Sequence, residues 1–169
     1  MLSLIALLLP GAGFALGLCR LRSDPRFAWL HSLRQWPWEL WLIAGAGFLA
    51  TLGGIADWAY HRWSGVPIGS RERFYELMAL VFGGLPLFVL MAMASVSPHP
   101  GNFLLPVLVV LLFTASLICF DEFVFHRRRC RRLETLMHRF LVFGYAVAWL
   151  AWAHWCFVRP LALAKEILL

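Results

Sequence analysis

Five apolar stretches separated by short polar joints organise the chain, at residues 2–19, 38–57, 74–96, 103–120 and 136–158. Each is close to the roughly 20 residues that a helix needs to cross the hydrocarbon core of a bilayer. The pattern therefore predicts an all-α integral membrane bundle of five transmembrane helices, forming one domain. In the first stretch, Pro10-Gly11-Ala12-Gly13 is expected to bend the helix. The length of this stretch would also suit a secretory signal. No basic residue precedes the apolar run, however, and no small-residue cleavage pattern follows it, so it is read as an anchoring helix.

The joints have characters of their own. Residues 20–37 interleave four arginines with Phe27, Trp29, Leu30 and Trp36, the pattern of a segment lying in the membrane interface. A second such run, 62–73, contains Ser70, which is expected to cap the third span. The Pro98/Pro100/Gly101 link is a tight turn, so spans three and four should be antiparallel neighbours. Between spans four and five lies the densest charge in the chain, His126-Arg127-Arg128-Arg129-Cys130-Arg131-Arg132.

Composition strengthens the membrane reading. Hydrophobic residues make up 62% of the 169 and charged residues 14%, against roughly 45–50% and 25% in soluble domains. The net charge of +6 points to anionic lipid at one face and not to nucleic acid. Cys19, Cys119, Cys130 and Cys156 have no metal-site or disulfide-framework spacing. The joints between spans two and three and between four and five carry nine cations, against six on the other side. By the positive-inside rule this orients the former joints and the amino terminus toward the cytoplasm, in a cytoplasmic membrane of the bacterial inner type.

The candidate chemistry is a repeated spacing. An acid precedes a histidine by four positions three times: Asp57 and His61, Glu122 and His126, Glu134 and His138. Nine acids and six histidines in 169 residues would give roughly 0.3 such pairs by chance, and residues four apart share a helix face. All three pairs fall at the same membrane side, with Glu76 and Asp121 at similar depth and Glu72 a turn outward. Carboxylates at the edge of hydrocarbon are costly unless paired or metal-bound. Carboxylate and imidazole groups aimed inward from several helices can hold two divalent ions. The predicted metal ligands are Asp57, His61, Glu76, Glu122, His126, Glu134 and His138. Asp121 is expected as a ligand or a supporting catalytic group, and Tyr145, seven residues beyond His138, as a deeper contact with the site. Oxygen and nitrogen donors without thiolate suit iron, with zinc or manganese as alternatives. A salt-bridge network with the arginine tract is the competing reading, and a proton relay or haem a weaker one. His99 and His154 have no matching acid and are read as interfacial.

In ligand chemistry alone the arrangement is similar to the di-iron carboxylate helical bundles. Those bundles use a Glu-x-x-His spacing of three, however, and the spacing here is four. No histidine-rich run of the fatty-acid desaturase kind is present. The resulting expectation is a dimetal oxidoreductase of hydroxylase type acting on a lipid or other hydrophobic substrate at the cytoplasmic leaflet, with a redox partner or anionic headgroups at the arginine-rich loop. The alternatives are a zinc-dependent lipid hydrolase and a non-enzymatic membrane subunit or assembly factor with an interfacial charge network.

Overall fold

The computed structural model describes residues 2–64, 69–121, 123–124 and 132–160, and for Leu2, Ser3, Ser64, Ser70, Glu72, Arg73, Glu76, Asp121 and Arg132 the backbone alone. The described residues are helical throughout apart from short joints and contain no strand. Helix α1 spans Leu2–Leu21, α2 Trp38–Ser64, α3 Ser70–Met78, α4 Leu85–Val96, α5 Leu104–Asp121 and α6 Arg132–Ala153. A π turn, Ala79–Gly84, joins α3 to α4 as one span, residues 123–124 beyond α5 are also π-helical, and a second full π turn, His154–Val158, extends α6. Five helical segments are long and apolar enough to cross a membrane: Leu4–Leu21, Trp38–Trp63, Ala79–Val96, Pro100–Phe120 and Leu133–Val158.

Several boundaries differ from the sequence reading for identifiable reasons. Helix α1 runs unbroken through Pro10. Helix α2 continues past Asp57 to Ser64, because Asp57, His61 and Arg62 lie on a helix that projects beyond the apolar core. Its 27 residues measure about 40 Å, longer than the roughly 30 Å of hydrocarbon. Arg62 and Arg71 are therefore helical, and the polar run between spans two and three is shorter than expected. Helix α3 begins at Ser70, so the serine is its first helical residue. Pro86 follows the first π turn, so the residue that cannot donate to the helical ladder sits where the ladder is already rearranged.

The interfacial segment takes the form of two short 3-10 helices, Pro25–His31 and Leu33–Gln35. Asp24 caps the first by accepting from the Arg26 backbone N–H, and the Arg26 guanidinium grips the same carboxylate. Those hydrogen bonds hold the Asp24 carboxyl below its ordinary range. Phe27 and Leu30 turn inward against Leu40, Phe14 and Leu18, which ties the segment to α1 and α2.

Little of the chain is buried, and the exposed surface is apolar. Leu16, Leu105 and Phe143 are 70%, 71% and 65% exposed, an arrangement stable only where lipid replaces water. Since hydrocarbon offers no hydrophobic drive between helices, close packing must hold them. Helices α2 and α6 run antiparallel along their full length through small residues. A Cβ added at Gly53 would lie 2.8 Å from the Met137 carbonyl, and one at Gly144 2.8 Å from that of Ala46 and 3.0 Å from the Ala50 nitrogen. Nothing larger than glycine fits at either place, because the obstacle is backbone. Helix α1 seats Leu7 against Gly54, and Phe88 of α4 lies over Gly13. A separate cluster of Ala94, Val107, Trp152 and Cys156 joins α4, α5 and the end of α6.

Gly144→Leu should destabilise the α2–α6 pair by about 1–3 kcal/mol or more. Gly45→Ala faces open space and should be neutral or stabilising by about 0.5–1 kcal/mol. Reversible unfolding in mixed micelles measures both.

Candidate functional site

Two buried polar clusters clamp the α2–α6 pair, one at each end. At the first, one face of α2 carries Asp57 and His61 and one face of α6 carries Glu134 and His138, each pair separated by about one helical turn. The antiparallel register brings His61 to Glu134. His61 Nε2 lies 3.1 Å from Glu134 Oε1 and 3.8 Å from Asp57 Oδ1. The first is an ion-pair distance and the second a looser approach, and neither has the geometry of a hydrogen bond. The side chains of Asp57, His61 and Glu134 are 20%, 13% and 5% exposed, so this is a desolvated group and not a surface ion pair. His138 Nε2 is buried one turn along from Glu134, and His61 Nδ1 is buried with no hydrogen-bond partner among the described residues.

The remaining predicted ligands are placed less completely. Glu76 lies on α3 and Asp121 ends α5, with backbone alone described. Tyr75 and Phe120 stack at 4.7 Å beside them and join those two helices at that level. Glu122, His126, Arg127, Arg128, Arg129, Cys130 and Arg131 lie outside the described residues. Among the described residues no group of three or more histidine, cysteine, aspartate or glutamate side chains is arranged to hold a metal ion. Tyr145 donates its hydroxyl to the Leu7 carbonyl at 3.2 Å, so this side chain fastens α1 to α6 deeper in the bundle.

The second cluster was not legible in the sequence. Glu39, in the first turn of α2, is fully buried. His154 Nδ1 meets its Oε1 at 2.9 Å, and the Arg159 guanidinium donates to its Oε2 at 2.9 Å. The expectation that His154 has no acidic partner is thus corrected: the acid comes from another helix. The reason it escaped notice is helical geometry. Residues five apart on an α-helix point about 140° away from one another. Across His154–Val158 the backbone is a π turn closed by the Arg159 N–H on the His154 carbonyl, and an i→i+5 bond stacks His154 and Arg159 on one face. Trp38 covers the histidine, with ring centroids 5.2 Å apart. The one signal available was an acid embedded in the aromatic run Trp36-Pro37-Trp38-Glu39-Leu40-Trp41.

Glu39 and His61 lie 22 positions apart on a single helix, about 33 Å along its axis. That distance nearly equals the roughly 30 Å hydrocarbon thickness. The two clusters therefore sit at opposite edges of the apolar layer. No family model, curated protein or solved structure matches this chain.

Glu39→Ala should cost on the order of 2–4 kcal/mol, toward the lower end because His154 and Arg159 keep partial access to solvent. Glu39→Gln should cost less, since the amide oxygen still accepts one hydrogen bond. Denaturant titration of the purified variants separates the two.

Proposed function

We propose that the chain is a membrane-embedded metalloprotein, an oxidoreductase of hydroxylase type acting on a lipid or other apolar substrate beside the Glu134 end of the bundle. The supporting observation is the state of His61. One ring nitrogen lies 3.1 Å from the Glu134 carboxylate, while the other is buried and has no hydrogen-bond partner among the described residues. A buried ring nitrogen left unsatisfied costs about 1–3 kcal/mol. Carboxylate support on one nitrogen with the other free to coordinate is the usual arrangement of a metal-bound imidazole.

In this reading Glu134 fixes the tautomer and direction of His61, and Asp57, one turn earlier on α2, supplies a neighbouring oxygen. His138, Glu76, Glu122 and His126 complete the donor set, with Asp121 beside it. Oxygen and nitrogen donors of this kind suit iron, which would supply oxygen activation. Placement at the edge of hydrocarbon lets an apolar substrate arrive laterally from the lipid while protons arrive from the aqueous side. The arginine tract that precedes Glu134 in sequence would suit a reductase partner or anionic headgroups.

A second reading has its own observation. Glu39, itself buried, forms a clamp with the half-exposed His154 and Arg159 at the other edge without any acid-His repeat. If the His61–Glu134 contact is likewise only a clamp, the protein is a non-enzymatic membrane subunit. Metal analysis of protein purified without chelator separates the two. The first reading expects one to two irons per chain, lost in His61→Ala and reduced in affinity about 10- to 100-fold in Glu134→Ala, with His99→Ala unchanged. One zinc per chain in place of iron would favour hydrolytic chemistry. Metal-free protein, or content unaltered by His61→Ala, overturns the proposal.

A further inference from the structure

The geometry points to a binding site for the headgroup of an anionic phospholipid at the Glu39 edge of the bundle, in a cleft centred on Arg159. The cleft has a volume of about 290 Å³ and is lined by Phe27, Ser95, Ser97, Trp155, Cys156 and Arg159 together with Ala94, Pro100 and Pro160. It opens where the interfacial 3-10 segment, the end of α4 and the second π turn meet, at the level where headgroups lie. Its lining combines aromatic and apolar groups, suited to glycerol and the first acyl carbons, with a polar side formed by Ser95, Ser97 and Arg159.

Three features make the polar side fit a phosphodiester. The Arg159 guanidinium is pinned through one nitrogen by Glu39, which fixes its plane, and a guanidinium has further N–H groups with which to meet a phosphate. Ser97 Oγ accepts from the His99 backbone N–H, so its hydroxyl hydrogen remains available as a donor. Arg26 reaches the rim, donating to the Val96 carbonyl at 3.4 Å. Among the described residues this edge carries Arg20, Arg22, Arg26, Arg34 and Arg159 against Asp24 and Glu39, an excess of three positive charges. That excess complements an anionic headgroup and has no use for a zwitterionic one.

The π turn then has a ligand-directed role. It turns Arg159 onto the face of His154, where Glu39 can hold it at the cleft wall. The site is independent of the chemistry proposed at the other edge.

Native mass spectrometry tests the inference on the whole chain in micelles containing equal amounts of phosphatidylglycerol and phosphatidylcholine. The expected result is one phosphatidylglycerol retained in preference. Arg159→Gln should reduce its retention about fivefold, the worth of one arginine at an anionic surface. Ser97→Glu, which places a carboxylate in the cleft without touching the Glu39 clamp, should do at least as much, and Arg139→Gln at the opposite edge should do nothing. Equal retention of both lipids, or wild-type retention by Ser97→Glu, overturns the proposal. So does displacement of the lipid by millimolar inorganic phosphate, which would assign the cleft to the free anion.

Discussion

The near contact of two backbones, where α2 passes α6, sets the rest of the structure. In a lipid-exposed bundle there is no gain from hiding leucine from leucine, so association depends on how closely helices approach and on which polar groups meet. Gly53 and Gly144 remove the side chains that would hold the axes apart, and Ala46 and Ala50 fill the remaining space. Once the axes are this close, the antiparallel register follows. It brings His61 opposite Glu134 and Glu39 opposite His154. A slide of one helical turn, about 5.4 Å, would break both polar contacts together, and each contact therefore supports the other through a rigid rod.

The two clamps solve one problem, a carboxylate at the edge of hydrocarbon, by different means. Glu39 is matched by a guanidinium and an imidazole, so its charge is met by a permanent cation whatever the state of His154. Glu134 is met by an imidazole, with a second carboxylate, Asp57, nearby. Arginine holds the carboxylate at the Glu39 edge, which suits that edge to anion recognition, while a buried imidazole stands beside the carboxylates of the Glu134 edge.

The spans were legible because each is a continuous apolar run of membrane length, and that signal needs no tertiary context. The first candidate cluster was partly legible for a related reason: Asp57 and His61, and Glu134 and His138, are local pairs on regular α-helix. What the sequence could not show was how the pairs are joined. The closest contact is between His61 and Glu134, 73 positions apart, and depends on register set by glycines that read only as generic small residues. The group around Glu39 was illegible on two counts. Its partners are more than a hundred positions away, and they sit five residues apart, a spacing that a search for i, i+3 and i, i+4 faces passes over. Tyr145 was read for depth and face, yet its partner is a carbonyl of α1, which no pattern of side chains reveals.

The π turns Ala79–Gly84 and His154–Val158 fall in spans that each pack against a helix of regular α geometry. Helices α2 and α5 are uninterrupted α-helix, while the α3–α4 span and the end of α6 each carry the extra residue. In the third span the turn ends at Gly83 and Gly84, and a Cβ on Gly83 would collide with the Thr114 side chain of α5, so the rearranged backbone is also the point of closest approach. In the fifth span it is the point where two side chains must reach one carboxylate. An added residue rotates everything beyond it by about 100° relative to the helix before it. Each adjusted span can thereby present one face to its partner in the middle of the bundle and a different face at its end. The regular helices act as the fixed frame, and the irregular ones bring the polar side chains to it.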